Sequence, residues 1–316
     1  MKTAVHLLIV LAAILFTVPS RAQSPGPQTS TADGTRLVLL GTAGGPSIKR
    51  SRAQPANALI VNGSVYIIDA GNGVARQMAL ANISPQALRA VFITHLHSDH
   101  TADYGTLLLR AWLTGLKNPV DTYGPAPIEE MTRAYMRYMD WDIQLRTSDE
   151  NRPPFAALVR AHNIAAEGVV FQDENVKVTA VEVPHGAAKA SYAFRFDTPT
   201  RSIVFSGDTS RSSSLVRLAK GADILVHEVL NTEGVDAAIG IGGGGANEAL
   251  KRHIIEAHTP IEEVGQVAHD AGVKKLVLTH FVPSLPAFDK PEIWLRGARK
   301  FYGGEIIVGQ DLLNVE

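Results

Sequence analysis

Short apolar stretches alternate with amphipathic stretches along most of the chain, and this alternation predicts an ordered series of strands and helices. Early strands are predicted at residues 37–41, 57–61, 64–69 and 88–94, and helices at 73–81, 104–113 and 128–138. Later strands are predicted at 169–171, 176–183, 191–196, 202–205 and 276–279. The order predicts an α/β protein of two halves, packed sheet against sheet with helices outside.

The N-terminus carries a different pattern. Lys2 precedes an apolar stretch at residues 7–18, and Ser20, Arg21 and Ala22 follow it. A basic start, an apolar run and a small residue before the cleavage point are typical of an export signal, and the run is short for a membrane span. We therefore expect a signal peptide at 1–22, a disordered linker at 23–35 and one catalytic domain at 36–316. The expected location is periplasmic or secreted, without stable membrane anchoring after cleavage; an uncleaved anchor is the alternative.

Composition supports a globular enzyme, since 45% of the 316 residues are hydrophobic and 19% are charged. Cleavage after Ala22 would remove Lys2 and Arg21 and no acid, so the 30 basic residues become 28 against 31 acidic ones, a formal charge of −3. Such a surface does not attract polyanions, so we expect a small anionic or ester substrate and no nucleic acid. The absence of cysteine excludes disulfides and a thiol nucleophile. The composition leaves a homo-oligomer open.

Four metal-capable side chains lie within one short segment. His95, His97, Asp99 and His100 follow the apolar strand predicted at 88–94. Neutral imidazoles and carboxylates are ligands that zinc prefers, and three histidines with one aspartate are enough to face two neighbouring ions. A histidine-rich surface loop is the alternative, but the spacing favours a metal site.

Three further candidate ligands come directly after strands. His185 follows the strand at 176–183, Asp208 follows the strand at 202–205, and His280 follows the strand at 276–279. In a layered α/β fold such strand ends converge on one rim. A single histidine after a strand is usually a satisfied polar residue, so these three depend on the first cluster.

The order of these motifs resembles the metallo-β-lactamase superfamily, whose hallmark His-x-His-x-Asp-His is filled by residues 95–100. The segments around Asp69, His185, Asp208 and His280 resemble the family's other motifs. The resemblance implies a four-layer αββα sandwich. It also implies one metal at His95, His97 and His185, another at Asp99, His100 and His280, and Asp208 bridging both. It assigns Asp69 to bracing the loops rather than to binding metal.

Two more segments resemble the ribonuclease Z branch and its exported relatives, including bacterial arylsulfatases. Residues 223–229 resemble its His-Glu-Ala-Thr segment, and 257–260 its His-Ser-Thr segment, although the neighbouring residues differ. In that branch the Glu and the His cooperate near the leaving group. Glu228 and His258 are therefore candidates for a proton-donating pair, with a buried strand-end acid and a histidine at a helix N-terminus as the alternatives.

The resemblance implies two Zn²⁺ ions, with Mn²⁺ or Fe²⁺ as alternatives, and a bridging hydroxide that Asp99 holds for attack. We expect an exported hydrolase of sulfate esters or phosphodiesters. The alternatives are a β-lactamase of the cysteine-free subclass, a lactonase, an enzyme with tRNA 3′-processing activity, and a binding module without catalysis.

The remaining polar features carry less weight. The glycine-rich residues 240–245 lie between Glu228 and His258 and are a candidate mobile lid. His162, His253 and His269 have no motif around them, and we interpret them as surface residues.

Overall fold

The protein is represented by a computed structural model that describes residues 34–241 and 248–316, with backbone alone at 240–241. Its strands are β1 Thr35–Gly41, β2 Ala56–Val61, β3 Ser64–Ile68, β4 Leu88–Phe92, β5 Val120–Gly124, β6 Val159–Asn163, β7 Gly168–Gln172, β8 Lys177–Glu182, β9 Tyr192–Asp197, β10 Ser202–Phe205, β11 Ile224–Leu230, β12 Lys275–Val282, β13 Glu305–Val308 and β14 Leu313–Val315. Its α-helices are α1 Val74–Leu80, α2 Ser98–Thr101, α3 Tyr104–Leu113, α4 Ile128–Tyr138, α5 Asp140–Asp149, α6 Ser213–Leu218, α7 Thr232–Ile241, α8 Glu248–Ala257, α9 Ile261–Ala271 and α10 Pro291–Ala298. Single 3₁₀ turns lie at Pro85–Ala87, Phe155–Ala157 and Pro286–Phe288.

The strands form two seven-stranded mixed sheets. The first sheet has the order β14-β1-β2-β3-β4-β5-β6, and the second has the order β13-β12-β11-β10-β9-β8-β7. In the first sheet the pairs from β14 to β3 are antiparallel and those from β3 to β6 are parallel. The second sheet repeats this arrangement, with antiparallel pairs from β7 to β10 and parallel pairs from β10 to β13.

Alternation along the strands builds the layers. In β1, Leu37 and Leu39 belong to the core between the two sheets, whereas Val38 and Leu40 belong to the core beneath the helices of the first half. Successive strand residues point to opposite faces, so one strand serves two cores. The aromatic rings of Phe92 and Phe194, one from each sheet, meet 5.6 Å apart in the central core.

Helices cover the outer face of each sheet. Residues of α1, α3 and α4 share a core with the first sheet, and residues of α6, α9 and α10 share a core with the second. The predicted four-layer αββα sandwich is confirmed. Because both sheets are covered on both faces, their polar loops collect at the rims, where a site has room.

The predicted elements agree well with the structure in their interiors. Helices α3 and α4 have the predicted bounds, while the predicted helix at 73–81 is one residue shorter at each end. The predicted signal at 1–22 and most of the linker at 23–35 lie outside the described residues, and Thr35 already begins β1. No helix within 34–241 and 248–316 is long and apolar enough to cross a bilayer. The candidate lid at 240–245 also falls outside the described side chains.

Candidate dinuclear metal site

Four segments of the chain carry the predicted ligands to one rim of the sandwich. His95 and His97 follow β4, and the short helix α2 carries Asp99 and His100. His185 follows β8, and Asp208 follows β10. His280 lies within β12. The structure brings all seven of these side chains together, and all except His97 are buried.

One group of nitrogen atoms surrounds a point between three histidines. His97 Nδ1 lies 3.0 Å from His95 Nε2 and 3.1 Å from His185 Nε2. Asp208 Oδ2 lies 3.8 Å from His95 Nε2 and 3.9 Å from His185 Nε2. This is the spacing of ligand atoms that could share one cation.

A second group lies on the other side of Asp208. His280 Nε2 is 3.1 Å from Asp208 Oδ2 and 3.5 Å from Asp99 Oδ2. His100 Nε2 is 3.4 Å from Asp208 Oδ2 and 3.7 Å from Asp99 Oδ2. The Asp208 carboxylate therefore stands between the two groups, which is the position that a bridging ligand needs.

Unpartnered polar atoms test whether a metal fits. His100 Nε2, both ring nitrogens of His280 and Asp208 Oδ1 are buried and make no hydrogen bond within the described part of the chain. Buried polar atoms without a partner are costly and rare in folded proteins. Lone pairs that converge from imidazoles and carboxylates are suited to a divalent cation, so these residues fit metal binding.

The charge balance of the cage points the same way. Burial lowers the pKa of His95 and His97, and it lowers the pKa of His185 to about 4, so these imidazoles are neutral, as metal ligands must be. Burial alone would lower the pKa of His100 too, but the carboxylates of Asp208, Asp69 and Asp99 raise it well above its usual value. The three carboxylates that face His100 give the cavity an excess of negative charge, which a divalent cation would balance.

Asp69 braces the first loop. Its Oδ1 accepts hydrogen bonds from Thr94 N at 2.8 Å and from Thr94 Oγ1 at 3.0 Å, and its Oδ2 accepts one from His100 Nδ1 at 2.9 Å. With Nδ1 committed to Asp69, His100 presents Nε2 to the cage. His185 is oriented in the same manner, because its Nδ1 donates to the Ala257 carbonyl oxygen at 2.8 Å.

His280 reaches the cage through a β-bulge that the sequence did not reveal. In the parallel pairing of β11 with β12, Glu228 lies opposite Thr279 and Val229 lies opposite Phe281, so His280 is the extra residue. Its φ is +45°, an uncommon conformation for a residue other than glycine. A bulge redirects a side chain that regular alternation would place elsewhere.

Glu228 and His258 form a buried pair beside the cage. Glu228 Oε2 lies 3.2 Å from His258 Nδ1, and Glu228 Oε1 accepts a hydrogen bond from Thr259 N at 2.6 Å. The His258 ring stacks on the His280 ring with centroids 5.5 Å apart. Burial lowers the pKa of His258, but the Glu228 carboxylate outweighs it and raises that pKa above its ordinary value. Since both Glu228 oxygens are engaged, the pair is better suited to holding a proton than to ligating a metal.

Side chains hold the backbone of Glu228 where sheet pairing is interrupted. Its N–H donates to Ser206 Oγ at 3.0 Å, and its carbonyl oxygen accepts from His227 Nδ1 at 2.6 Å. β10 has ended at Phe205 on one side, and β12 bulges at His280 on the other. The sequence analysis did not identify Ser206 or His227 as functional residues. Their closeness in the sequence to Asp208 and Glu228 was the only indication of such a role.

The three histidines interpreted as surface residues differ in their surroundings. His162 Nε2 contacts Asp121 Oδ1 at 3.0 Å, and His269 Nδ1 contacts Asp270 Oδ1 at 3.3 Å. His253, on α8, is exposed, but its ring lies 6.3 Å from the His97 ring. Two of these histidines therefore pair with an aspartate, and the third stands at the edge of the site.

The two sheets, their flanking helices and the histidine–aspartate clusters define the class of protein, a metal-dependent hydrolase. The model of the beta-lactamase superfamily domain matches residues 65–281. Ribonuclease Z from Mycobacterium sp. (strain KMS) is 33% identical over 285 residues, which cover 89% of this chain and 95% of the relative. The chain belongs to the beta-lactamase superfamily as a ribonuclease Z-like hydrolase.

Solved structures share the fold at low sequence identity. The metallo-beta-lactamase fold protein YhfI from Bacillus subtilis has a TM-score of 0.64 at 19% identity and covers 89% of this chain and 98% of its own. The short form of human tRNase Z has a TM-score of 0.63 at 21% identity, with the same coverage of both chains. These likenesses support the sandwich architecture.

Two expectations are corrected by the relatives. The absence of a nucleic-acid partner is wrong, because the relatives that match most of the chain are ribonucleases. Net charge averages over the whole surface, whereas attraction of a phosphate depends on the local field at the site. The expected periplasmic or secreted location is contradicted by the same ribonuclease Z relatives. The ribonuclease Z relatives named above do not support the arylsulfatase assignment.

Proposed function

We propose that this protein is a dinuclear metal-dependent phosphodiesterase that cleaves RNA. The observation that carries the proposal is the buried Glu228–His258 pair, 3.2 Å between Oε2 and Nδ1, directly beside the seven-residue cage. Cleavage of a phosphodiester releases an alkoxide, a poor leaving group that needs a proton. A charged imidazole next to the reacting centre supplies that proton.

The names of the relatives support RNA as the substrate. Ribonuclease Z from several mycobacteria matches about nine-tenths of this chain at 31% to 33% identity. The chain retains every motif residue that the resemblance assigns to metal binding and to the proton-donating pair. The assignment of RNA as the substrate follows from the similarity to these relatives and from the need for a proton donor.

The proposed ligand sets follow the two groups of atoms around Asp208. His95, His97 and His185 would hold one Zn²⁺, and Asp99, His100 and His280 would hold the other, with Asp208 between them. When bound, such a metal pair activates a water molecule near neutral pH and stabilises negative charge on the attacked group. The unpartnered nitrogens of His100 and His280 are the strongest support for this assignment.

Two side chains would handle the proton and the nucleophile. Asp99 has its pKa lowered to about 2, since the neighbouring His100 and His280 outweigh its burial, so its carboxylate is ionised and able to orient an attacking water. His258 would give its Nε2 proton to the leaving oxygen, while Glu228 stabilises the charged ring. General acid catalysis of this kind contributes about 10²- to 10⁴-fold in rate.

A lactam substrate makes less use of this arrangement. Ring opening of a lactam releases no separate leaving group, so a β-lactamase has no need for a second buried carboxylate–imidazole pair. Aryl sulfates release a phenolate that departs without help. Both remain useful comparison substrates.

A substrate panel tests the proposal. Purified zinc-loaded protein is assayed with a tRNA precursor that carries a 3′ extension, bis-p-nitrophenyl phosphate, p-nitrophenyl sulfate, a chromogenic cephalosporin and a lactone. We expect cleavage of the RNA and of the phosphodiester, abolished by chelator and restored by zinc. A cephalosporin, sulfate or lactone rate far above both phosphodiester rates would refute the proposal.

A further inference from the structure

Helices α7 and α8 form a hairpin that connects the two members of the proton-donating pair. Glu228 lies on β11 just before α7, and His258 comes directly after α8. Lys251 Nζ on α8 pairs with Asp236 Oδ1 on α7 at 2.6 Å. The hairpin therefore borders the site both where α7 begins and where α8 ends.

The hairpin also packs against the ends of β11 and β12. Val235 of α7 is fully buried in a small cluster with Leu230 and Val282, and Ile254 of α8 packs against this cluster. A Cβ on Gly234 would come within 2.7 Å of Pro283 Cγ, so only glycine permits this close approach. The hairpin is thus a fixed wall beside the cage over its described residues.

His253 stands on the cage side of this wall. Its ring centroid is 6.3 Å from that of His97, and the two rings are inclined at 68°. Its Nδ1 is 3.6 Å from the position that a Cβ on Gly186 would take, next to His185. One helical turn further on, Ala257 accepts the hydrogen bond from His185. His253 is exposed, so its ring is open to solvent at the edge of the site.

No hydrogen bond or ion pair occupies the His253 ring among residues 34–241 and 248–316. The other two histidines outside the motifs each contact an aspartate. Either neutral tautomer of an imidazole carries one N–H donor, so His253 offers a donor to a ligand without any change of charge.

We propose that His253 is a specificity-determining residue that donates a hydrogen bond to the RNA backbone on the leaving-group side of the scissile phosphate. The inference rests on the proposed function, in which His258 protonates the leaving oxygen. His253 lies five residues before His258, about one and a half turns along the same segment. An RNA chain that continues from the leaving oxygen along α8 would bring a phosphate or ribose oxygen to the imidazole.

The test compares a long and a short leaving group. His253→Ala and His253→Gln are assayed with the extended tRNA precursor and with bis-p-nitrophenyl phosphate, whose nitrophenolate carries no RNA backbone. His269→Ala is the matched control, because His269 is an exposed histidine on α9 that contacts Asp270. Bound metal is counted in every variant.

We expect His253→Ala to raise KM for the RNA by about tenfold or more, the effect of losing a hydrogen bond to a charged group. The kcat for RNA should stay within about twofold, and KM for bis-p-nitrophenyl phosphate and the metal count should not change. The Gln variant should recover most of the loss, because its amide also donates a hydrogen bond. His269→Ala should behave as the wild type.

Three results would overturn the inference: an unchanged KM for RNA, an equal rise in KM for both substrates, or a loss of metal in His253→Ala. Binding of a fluorescein-labelled RNA in EDTA, followed by anisotropy, separates this outcome from failure of the proposed function. RNA that binds less tightly to His253→Ala but is never cleaved by the wild type would contradict the activity and support the contact.

Discussion

Two buried carboxylate–imidazole pairs lie at the same rim, one supplied by each half of the molecule. In the first half, Asp69 Oδ2 is 2.9 Å from His100 Nδ1. In the second half, Glu228 Oε2 is 3.2 Å from His258 Nδ1. Each carboxylate also accepts a backbone N–H, from Thr94 and Thr259 respectively. The local chemistry of the two pairs is nearly the same.

Their surroundings differ, and the difference assigns their roles. His100 lies among three carboxylates with an unpartnered Nε2, so its second nitrogen faces a strongly negative cavity. His258 has one direct carboxylate partner, and 9% of its surface is exposed. In the proposed assignment, the first pair orients a metal ligand where three carboxylates converge, and the second pair holds a transferable proton against one direct carboxylate partner.

Removing the carboxylate between the two groups should have the largest effect. Asp208→Ala should lose bound metal and fall to background activity, because two histidines of each group lie within 4 Å of Asp208 Oδ2. Metal is counted by mass spectrometry, and turnover is measured with bis-p-nitrophenyl phosphate.

Asp223→Ala is the matched control, since Asp223 lies at the opposite end of β11 and pairs with Lys274. This variant should keep its metal. Full activity and a full metal count in Asp208→Ala would refute the proposed ligand sets.

The second-largest effect is expected from Glu228→Gln. The amide would place a donor against His258 Nδ1 and remove the charge that stabilises the protonated ring, lowering the rate for alkoxide leaving groups about 10²-fold. The loss with p-nitrophenolate should be much smaller. Kinetics with a series of leaving groups measures this contrast, and the metal count should equal that of the wild type. An equal loss for every leaving group would argue against proton donation.

Asp69→Asn, at the other pair, should weaken metal binding rather than proton donation. Asparagine tolerates the left-handed φ of +63° at this position, so the backbone should survive. The single amide oxygen cannot serve both Thr94 and His100, and metal affinity should fall about 10- to 100-fold. Chelator titration followed by zinc recovery measures the change. If excess zinc failed to restore the rate while Asp69→Asn remained folded, the bracing role would be wrong.

The smallest effect concerns pH. Glu228 raises the pKa of His258 against the opposing effect of burial. The proton donor is active when protonated, so the rate with poor leaving groups should decline as pH rises through this raised pKa. Glu228→Gln lowers that pKa, and the decline should move to lower pH by about one unit. A kcat–pH profile with the same midpoint in both proteins would contradict the assignment.

Whole-chain properties were poor guides to the partner. The formal charge of −3 predicted for the chain cleaved after Ala22 led to the exclusion of nucleic acid, which the ribonuclease relatives contradict. An average charge carries no information about where charges converge, and the field that attracts a phosphate is local. The composition was a sound guide only to a folded core.

The sequence determined the interiors of the main strands and helices, because side-chain periodicity is a local property. It also determined the cluster from His95 to His100, where four donors stand within six residues and no folding is needed to bring them together. Only the tertiary structure decided the bulge that turns His280 inward, since a bulge is defined by the register against β11. It alone decided that Ser206 holds Glu228 and that His253 faces His97, because these contacts join segments that are far apart in the chain and that sheet pairing and helix packing bring together.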